Sequence, residues 1–117
     1  MSSVQIPAGG KLYNFYDEST VQPILHNKDK MVLAFFSDPQ DIDSFYYEQY
    51  VKRLAAQYLS VVFIKIDGKS LKNIAKTWKV NEFPTSVLIE KGDPKGTIVG
   101  RREGDLLKLL GKKHEQK

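Results

Sequence analysis

Apolar residues fall along this chain in blocks of two kinds. Met31-Val-Leu-Ala-Phe-Phe36 is apolar without alternation, which predicts a strand covered on both faces. Val61 to Ile66 is a β-branched strand closing on Asp67-Gly68. Leu12 to Tyr16 is a shorter, aromatic-rich strand, and Ser86 to Glu90 another apolar one. A hairpin loop over Gly92-Asp-Pro-Lys-Gly96 then leads into a last strand, Thr97-Ile-Val-Gly100.

Between these blocks the apolar positions take helical spacing. Ser19-x-x-Gln22 is a capping-box pattern that opens a brief helix ending by Asn27, with Pro23 in its first turn. Asp38 followed by Pro39 predicts the start of a long helix running to about Tyr58. Its buried side is read as Ile42, Phe45, Tyr46, Val51, Leu54, Ala55 and Tyr58, and Tyr47, beside Glu48 and Lys52, as its exposed tyrosine. Ser70 caps a third helix with the stripe Leu71, Ile74, Ala75 and Trp78. Asp105 to Leu110 is the last, with Gly111 and the Lys112-Lys113 pair suited to its C-terminal end. The organisation expected is a flexible arm over residues 1–10, one domain over 11–113 and a tail over 114–117.

Composition narrows the chemistry. The 117 residues are enough for one domain with an ordinary core, and the apolar and charged shares of 41% and 27% are those of a globular protein. No apolar run approaches a membrane span, and no secretory signal is visible at the start, so the cytoplasm is the expected location. There is no cysteine, which excludes disulfides, thiolate metal sites and thiol catalysis together. The net charge of +4 divides unevenly: residues 1–60 carry 5 basic and 7 acidic side chains, residues 61–117 carry 13 and 7. Lys69, Lys72, Lys76 and Lys79 share one side of the third helix, opposite its apolar stripe. Without arginines or aromatics among them they read as a solvated face, and nucleic acid is disfavoured as a partner.

The predicted order is β-α-β-α-β-α-β-β-α, three strands joined by parallel crossovers and then a hairpin. Within it stand Val32-Leu-Ala-Phe-Phe36 entering the long helix, Val62-Phe-Ile-Lys-Ile-Asp67 as third strand, and Val80-x-x-Phe83-Pro84-Thr85 before an apolar strand. The Lys91-Gly92 turn and Val99-Gly100 before the final helix follow. In order and spacing these resemble the thioredoxin-like family over roughly Lys11 to Lys113. The resemblance implies an α/β thioredoxin fold, a central mixed sheet of about five strands flanked by four helices.

It also implies where chemistry is missing. The family opens its long helix on Trp-Cys-Gly-Pro-Cys; here the aligned stretch is Pro39-Gln40-Asp41-Ile42-Asp43. Gln40 and Asp43 stand at the two cysteine positions, Ala34 at that of the family's buried proton acceptor, and Glu48 at that of its helix-kinking proline. Disulfide exchange needs a thiolate, so the resemblance implies a redox-inactive member with no catalytic residues and no cofactor. Pro84 aligns with the family's cis-proline, beside which an extended peptide lies. Pro39, Ile42, Phe83, Val99 and Gly100 are expected to converge on it as a shallow apolar groove.

Other constellations are thin. Asp38, Asp41 and Asp43 suit the first turn of a helix better than a metal, since a Ca²⁺ loop needs a glycine and a bidentate Glu as well. His26 and His114 stand alone, and Gly9-Gly10 precedes a strand, so no phosphate loop exists. The reading is a protein-binding module or assembly subunit, monomeric alone or part of a complex, and not an enzyme. The alternative is a non-catalytic member of a thiol-disulfide or chaperone system that holds extended clients.

Overall fold

The computed structural model describes residues 6–114. The chain runs β1 (Leu12–Phe15), α1 (Glu18–Leu25), β2 (Met31–Ser37), α2 (Ile42–Gln57), β3 (Val61–Asp67), α3 (Lys72–Thr77), β4 (Thr85–Glu90), β5 (Asp93–Val99) and α4 (Glu103–His114). The five strands form one sheet in the order β1-β3-β2-β4-β5. β1, β3 and β2 are parallel, and β4 and β5 are antiparallel to their neighbours. This is the thioredoxin fold, a mixed sheet with four helices.

Central β2 is buried at every position, as its unbroken apolar run requires. Its residues part by parity: Val32, Ala34 and Phe36 pack with Val21, Ile24 and Leu25 of α1 and with Ile74 and Ala75 of α3. Met31, Leu33 and Phe35 pack on the other face with Val51, Leu54 and Ala55 of α2 and with Leu106 and Leu110 of α4. Each helix thus covers one face, and the third helix buries the stripe read from the sequence, Leu71, Ile74, Ala75 and Trp78.

Four local expectations are corrected. The long helix starts at Ile42, not after Asp38, because Asp41 is its cap: the Asp41 carboxylate accepts from the Ser44 N–H at 2.8 Å and the Ser44 hydroxyl at 3.1 Å. Asp38 instead closes a turn over Pro39-Gln40, its carboxylate accepting from Gln40 N–H at 3.0 Å and its carbonyl from Asp41 N–H at 3.0 Å. The second expectation, the buried face, goes with the start: Ser44, Tyr47, Val51, Leu54 and Ala55 face the sheet, while Ile42, Phe45 and Tyr46 are 64%, 58% and 53% exposed. Tyr47 has no exposed surface, the reverse of the expectation.

The fourth is the hairpin. Glu90 pairs with Asp93, so the turn is only Lys91-Gly92, both at positive φ (54° and 82°) as a two-residue mirror-image turn demands. The segment Gly92–Gly96 read as loop lies mostly in β5. Its Pro94 is tolerated because β5 is an edge strand, and the register skips from Leu88–Gly96 to Ile89–Pro94, a bulge that leaves Lys95 over.

Helix starts differ slightly elsewhere. Asp17, not Ser19, occupies the cap of α1 and accepts from the Ser19 and Thr20 hydroxyls. Those bonds, Ser19's first, hold its carboxyl below the usual aspartate value. Asp67 rather than Ser70 organises the entry to α3, accepting from Lys69 N–H at 2.9 Å and the Ser70 hydroxyl at 3.0 Å. Of the arm, residues 1–5 lie outside the described residues, as do 115–117 of the tail. Ile6 packs against the α1/α3 side of the core.

Candidate functional site

The loops after β1, β2, β3 and β5, with the turn before β4, meet at one end of the sheet. The sequence-predicted residues converge there from both sides of the 38–41 turn. Pro84 precedes β4 and is buried, its bond to Phe83 cis. Its carbonyl accepts from Gly100 N–H at 2.7 Å, which ties the end of β5 to the start of β4. Gly100 makes that bond with φ at 87°, a conformation that favours glycine, and the space where a side chain would stand is open. Val99 beside it is 45% exposed.

Phe83 is less available than the sequence implied. It is half-buried against the α1/α3 side of the core, and its ring lies so close over Gly68 that a Cβ there would come within 2.1 Å. It therefore packs inward rather than standing exposed beside Pro84. Pro39, Gln40, Ile42 and Asp43 are exposed across from Pro84, and Asp41 is half-buried as the cap of α2.

Two features were not read from the sequence. Arg101 reaches from the end of β5 to α2, pairing with Asp43 at 3.3 Å and lying 6.0 Å above the Tyr46 ring. Both partners of the ion pair are largely solvated, so it fixes position more than it stabilises. Second, Tyr16, Ile42, Phe45, Tyr46 and Val99, five of the described chain's seven exposed large apolar side chains, gather at this one end. Phe45 and Tyr46 pack edge to face at 5.3 Å, so the band is continuous along the first turns of α2. Ala34 is buried among apolar neighbours, with no carboxylate beneath the turn at its position.

Of the remaining candidates only Lys69 reaches this end, its ammonium 6.0 Å from the Phe83 ring. Lys69, Lys72, Lys76 and Lys79 are all exposed on and around α3. His26 stacks against Trp78 at 5.7 Å, far along the fold at the exit of α1. Among the described residues no three His, Asp or Glu side chains come together as a metal site, and no helix is long and apolar enough to cross a membrane.

The family model for thioredoxin matches residues 14–112. Among relatives, the rice (Oryza sativa subsp. japonica) protein Thioredoxin H2-1 is 33% identical over 84 residues, 72% of this chain and 61% of its own length. A buckwheat (Fagopyrum esculentum) Thioredoxin H-type is 38% identical over 58 residues, half of each chain. The chain thus spans about six-tenths or less of these relatives' length. Among solved structures, thioredoxin NaTrxh from Nicotiana alata superposes with a TM-score of 0.84 at 23% identity, over 99% of this chain and 100% of that one. Spinach chloroplast thioredoxin f (short form) superposes with a TM-score of 0.81, also at 23% identity, over 96% and 97%.

Proposed function

The chain belongs to the thioredoxin family, and from that premise we propose that it is a non-catalytic protein-binding module of the family, acting through the groove bounded by Pro39, Ile42, Phe83, Pro84, Val99 and Gly100. Its lack of cysteine removes the one step that defines thiol-disulfide exchange. No thiolate can form the mixed disulfide, and a glutamine and an aspartate stand where the resemblance places the pair. What remains at that end is a surface that takes hold of other chains.

The observation that carries the reading is the exposed apolar band. Core-forming side chains are left in solvent only where something else covers them or where they are scattered singly, and these are gathered. Ile42 of α2 and Val99 of β5 are both exposed, and Arg101 links those elements through Asp43, which supports reading them as two flanks beside Pro84. An extended segment laid there would bury apolar surface on both flanks. The cytosol is the compartment we assign, with the chain monomeric alone or a subunit of a complex.

The test is capture of partners from the native cell beside a thermal melt. Ile42→Lys places a charge in the apolar contact and is expected to weaken capture by on the order of 1–2 kcal/mol, tenfold or so. The fold should change by only about 0.5 kcal/mol, because Ile42 is exposed. Phe83→Ala is a poor probe, since that ring also packs on the core. Lys72→Glu with Lys76→Glu is the control; loss of capture there with none at Ile42 would move the interaction to α3. In an insulin reduction assay the chain should add nothing to the dithiol donor alone.

A further inference from the structure

On the β3 side of the 38–41 turn lies a second cleft of about 250 Å³, whose lining includes Pro39 but neither Ile42 nor Pro84. Pro84 leads into β4, the neighbour of β2 on one side. The cleft is built on the other side, from the ends of β2 and β3 and from Tyr16 and Phe45. Its size is that of one large side chain and falls below the range usual for cofactor pockets. Tyr16 and Phe45 are 71% and 58% exposed, so two aromatic rings from different elements line a space that no described residue fills.

The charge of the lining selects the occupant. Three carboxylates, Asp38, Glu48 and Asp67, face one ammonium, that of Lys65. Lys65 is held by Glu48 at 3.0 Å, and Glu48 also meets Lys52 at 3.6 Å. Asp38 and Asp67 accept from backbone N–H groups of their own turns but pair with no cationic side chain among the described residues. An anion would be repelled here, and an aliphatic side chain would strip water from two carboxylates with nothing in return. A planar cation satisfies both demands, stacking on aromatic faces while its N–H groups reach carboxylate oxygens.

We propose that this cleft receives an arginine side chain of a protein partner, its guanidinium against Tyr16 and Phe45 and within reach of Asp38 and Asp67. The inference rests on the reading that the chain binds protein, but it does not need the Pro84 groove. Arginine is preferred to lysine because a delocalised, weakly hydrated cation stacks at less desolvation cost.

The test is a titration of ¹⁵N-labelled protein with acetyl-Gly-Arg-Gly-amide and with its citrulline counterpart, a neutral side chain of the same shape. Saturable shifts are expected at the amides of residues 16, 38, 45 and 67, with the citrulline peptide at least about fivefold weaker. Phe45→Ala and Asp38→Asn should each weaken the arginine peptide by about fivefold, with the rest of the spectrum unchanged because both positions lie outside the core. Equal binding by citrulline, equal binding by a lysine peptide, shifts centred elsewhere or no saturation would each overturn the proposal. The two sites fail separately. Capture that is lost on Ile42→Lys while the titration is silent removes the cleft and keeps the groove; a positive titration with capture indifferent to Ile42 does the reverse.

Discussion

Helix α2 is one helix in two surroundings. From Tyr47 onward its apolar side chains meet the sheet, Tyr47 lying 6.1 Å from Phe35 and followed by Val51, Leu54 and Ala55 at full burial or nearly so. Before Tyr47, side chains equally large stand in water. The two halves do not differ in hydrophobicity; they differ in what lies opposite. β2 ends at Ser37 and α2 begins just past the turn that follows, so the first turn of the helix stands at the lip of the sheet, where strand no longer runs beneath its flanks. An apolar residue in the second half holds the fold together. One in the first half stands exposed and adds little to the fold.

The strongest way to break that comparison is to truncate one residue from each half. Leu54→Ala removes a nearly fully buried side chain and leaves a cavity between α2 and the sheet, so it should cost about 2–5 kcal/mol in urea unfolding. Phe45→Ala removes a larger side chain that is mostly solvated and should cost about 0.5 kcal/mol or less. Equal losses would mean that Phe45 belongs to the core after all, and both the apolar band and the arginine cleft would lose their basis.

A smaller effect sharpens the boundary between the halves. If Asp41 fixes where α2 starts, Asp41→Ala should cost about 1–2 kcal/mol, since it removes the acceptor of both the Ser44 N–H and the Ser44 hydroxyl. Asp38→Ala removes only a turn bond to Gln40 N–H and should cost about half of that. The reverse order, measured by the same denaturation, would return the helix start to Asp38.

These residues also show where the sequence was legible. Strands β2 and β3 and the stripe of α3 could be read because burial on both faces, and a clean helical period on one, leave patterns with a single interpretation. In α2 the run Phe45-Tyr46-Tyr47 puts aromatics on adjacent positions that point three ways, so periodicity could not choose among them. The choice followed the helix start, which was read at Asp38 and lies three residues later at Asp41. The Lys91-Gly92 turn was named through the resemblance, but the start of β5 was obscured because Pro94 lies within the strand, an exception to ordinary preference. Asp38, the resemblance's groove residues and the motif positions could be named in advance. The cleft could not, because Tyr16, Asp38, Phe45 with Glu48, and Asp67 come from four places in the chain and only the fold brings them together.

The smallest effect concerns the residue where the two halves of α2 meet. The Tyr47 hydroxyl is buried without a hydrogen-bond partner among the described residues; the Arg102 backbone approaches without completing one. A buried polar atom left unpaired costs stability, so Tyr47→Phe should be neutral or stabilising by up to about 1 kcal/mol at neutral pH, although it deletes an atom from the core. Burial first, and the neighbouring Tyr50 second, push the phenol's pKa well above the ordinary tyrosine value of 10.0. Because the folded chain keeps that proton where the unfolded chain would release it, its contribution is present in full below pH 10 or so. It is lost as pH rises further, towards the raised value. Urea midpoints followed from neutral to alkaline pH should therefore fall for the native chain and fall less for the Phe variant. Tyr50, raised for the same first reason but less buried, would account for part of what remains. Coincident curves for the two proteins would show that Tyr47 is not held protonated by burial, and would move the boundary between core and surface one turn further into the helix.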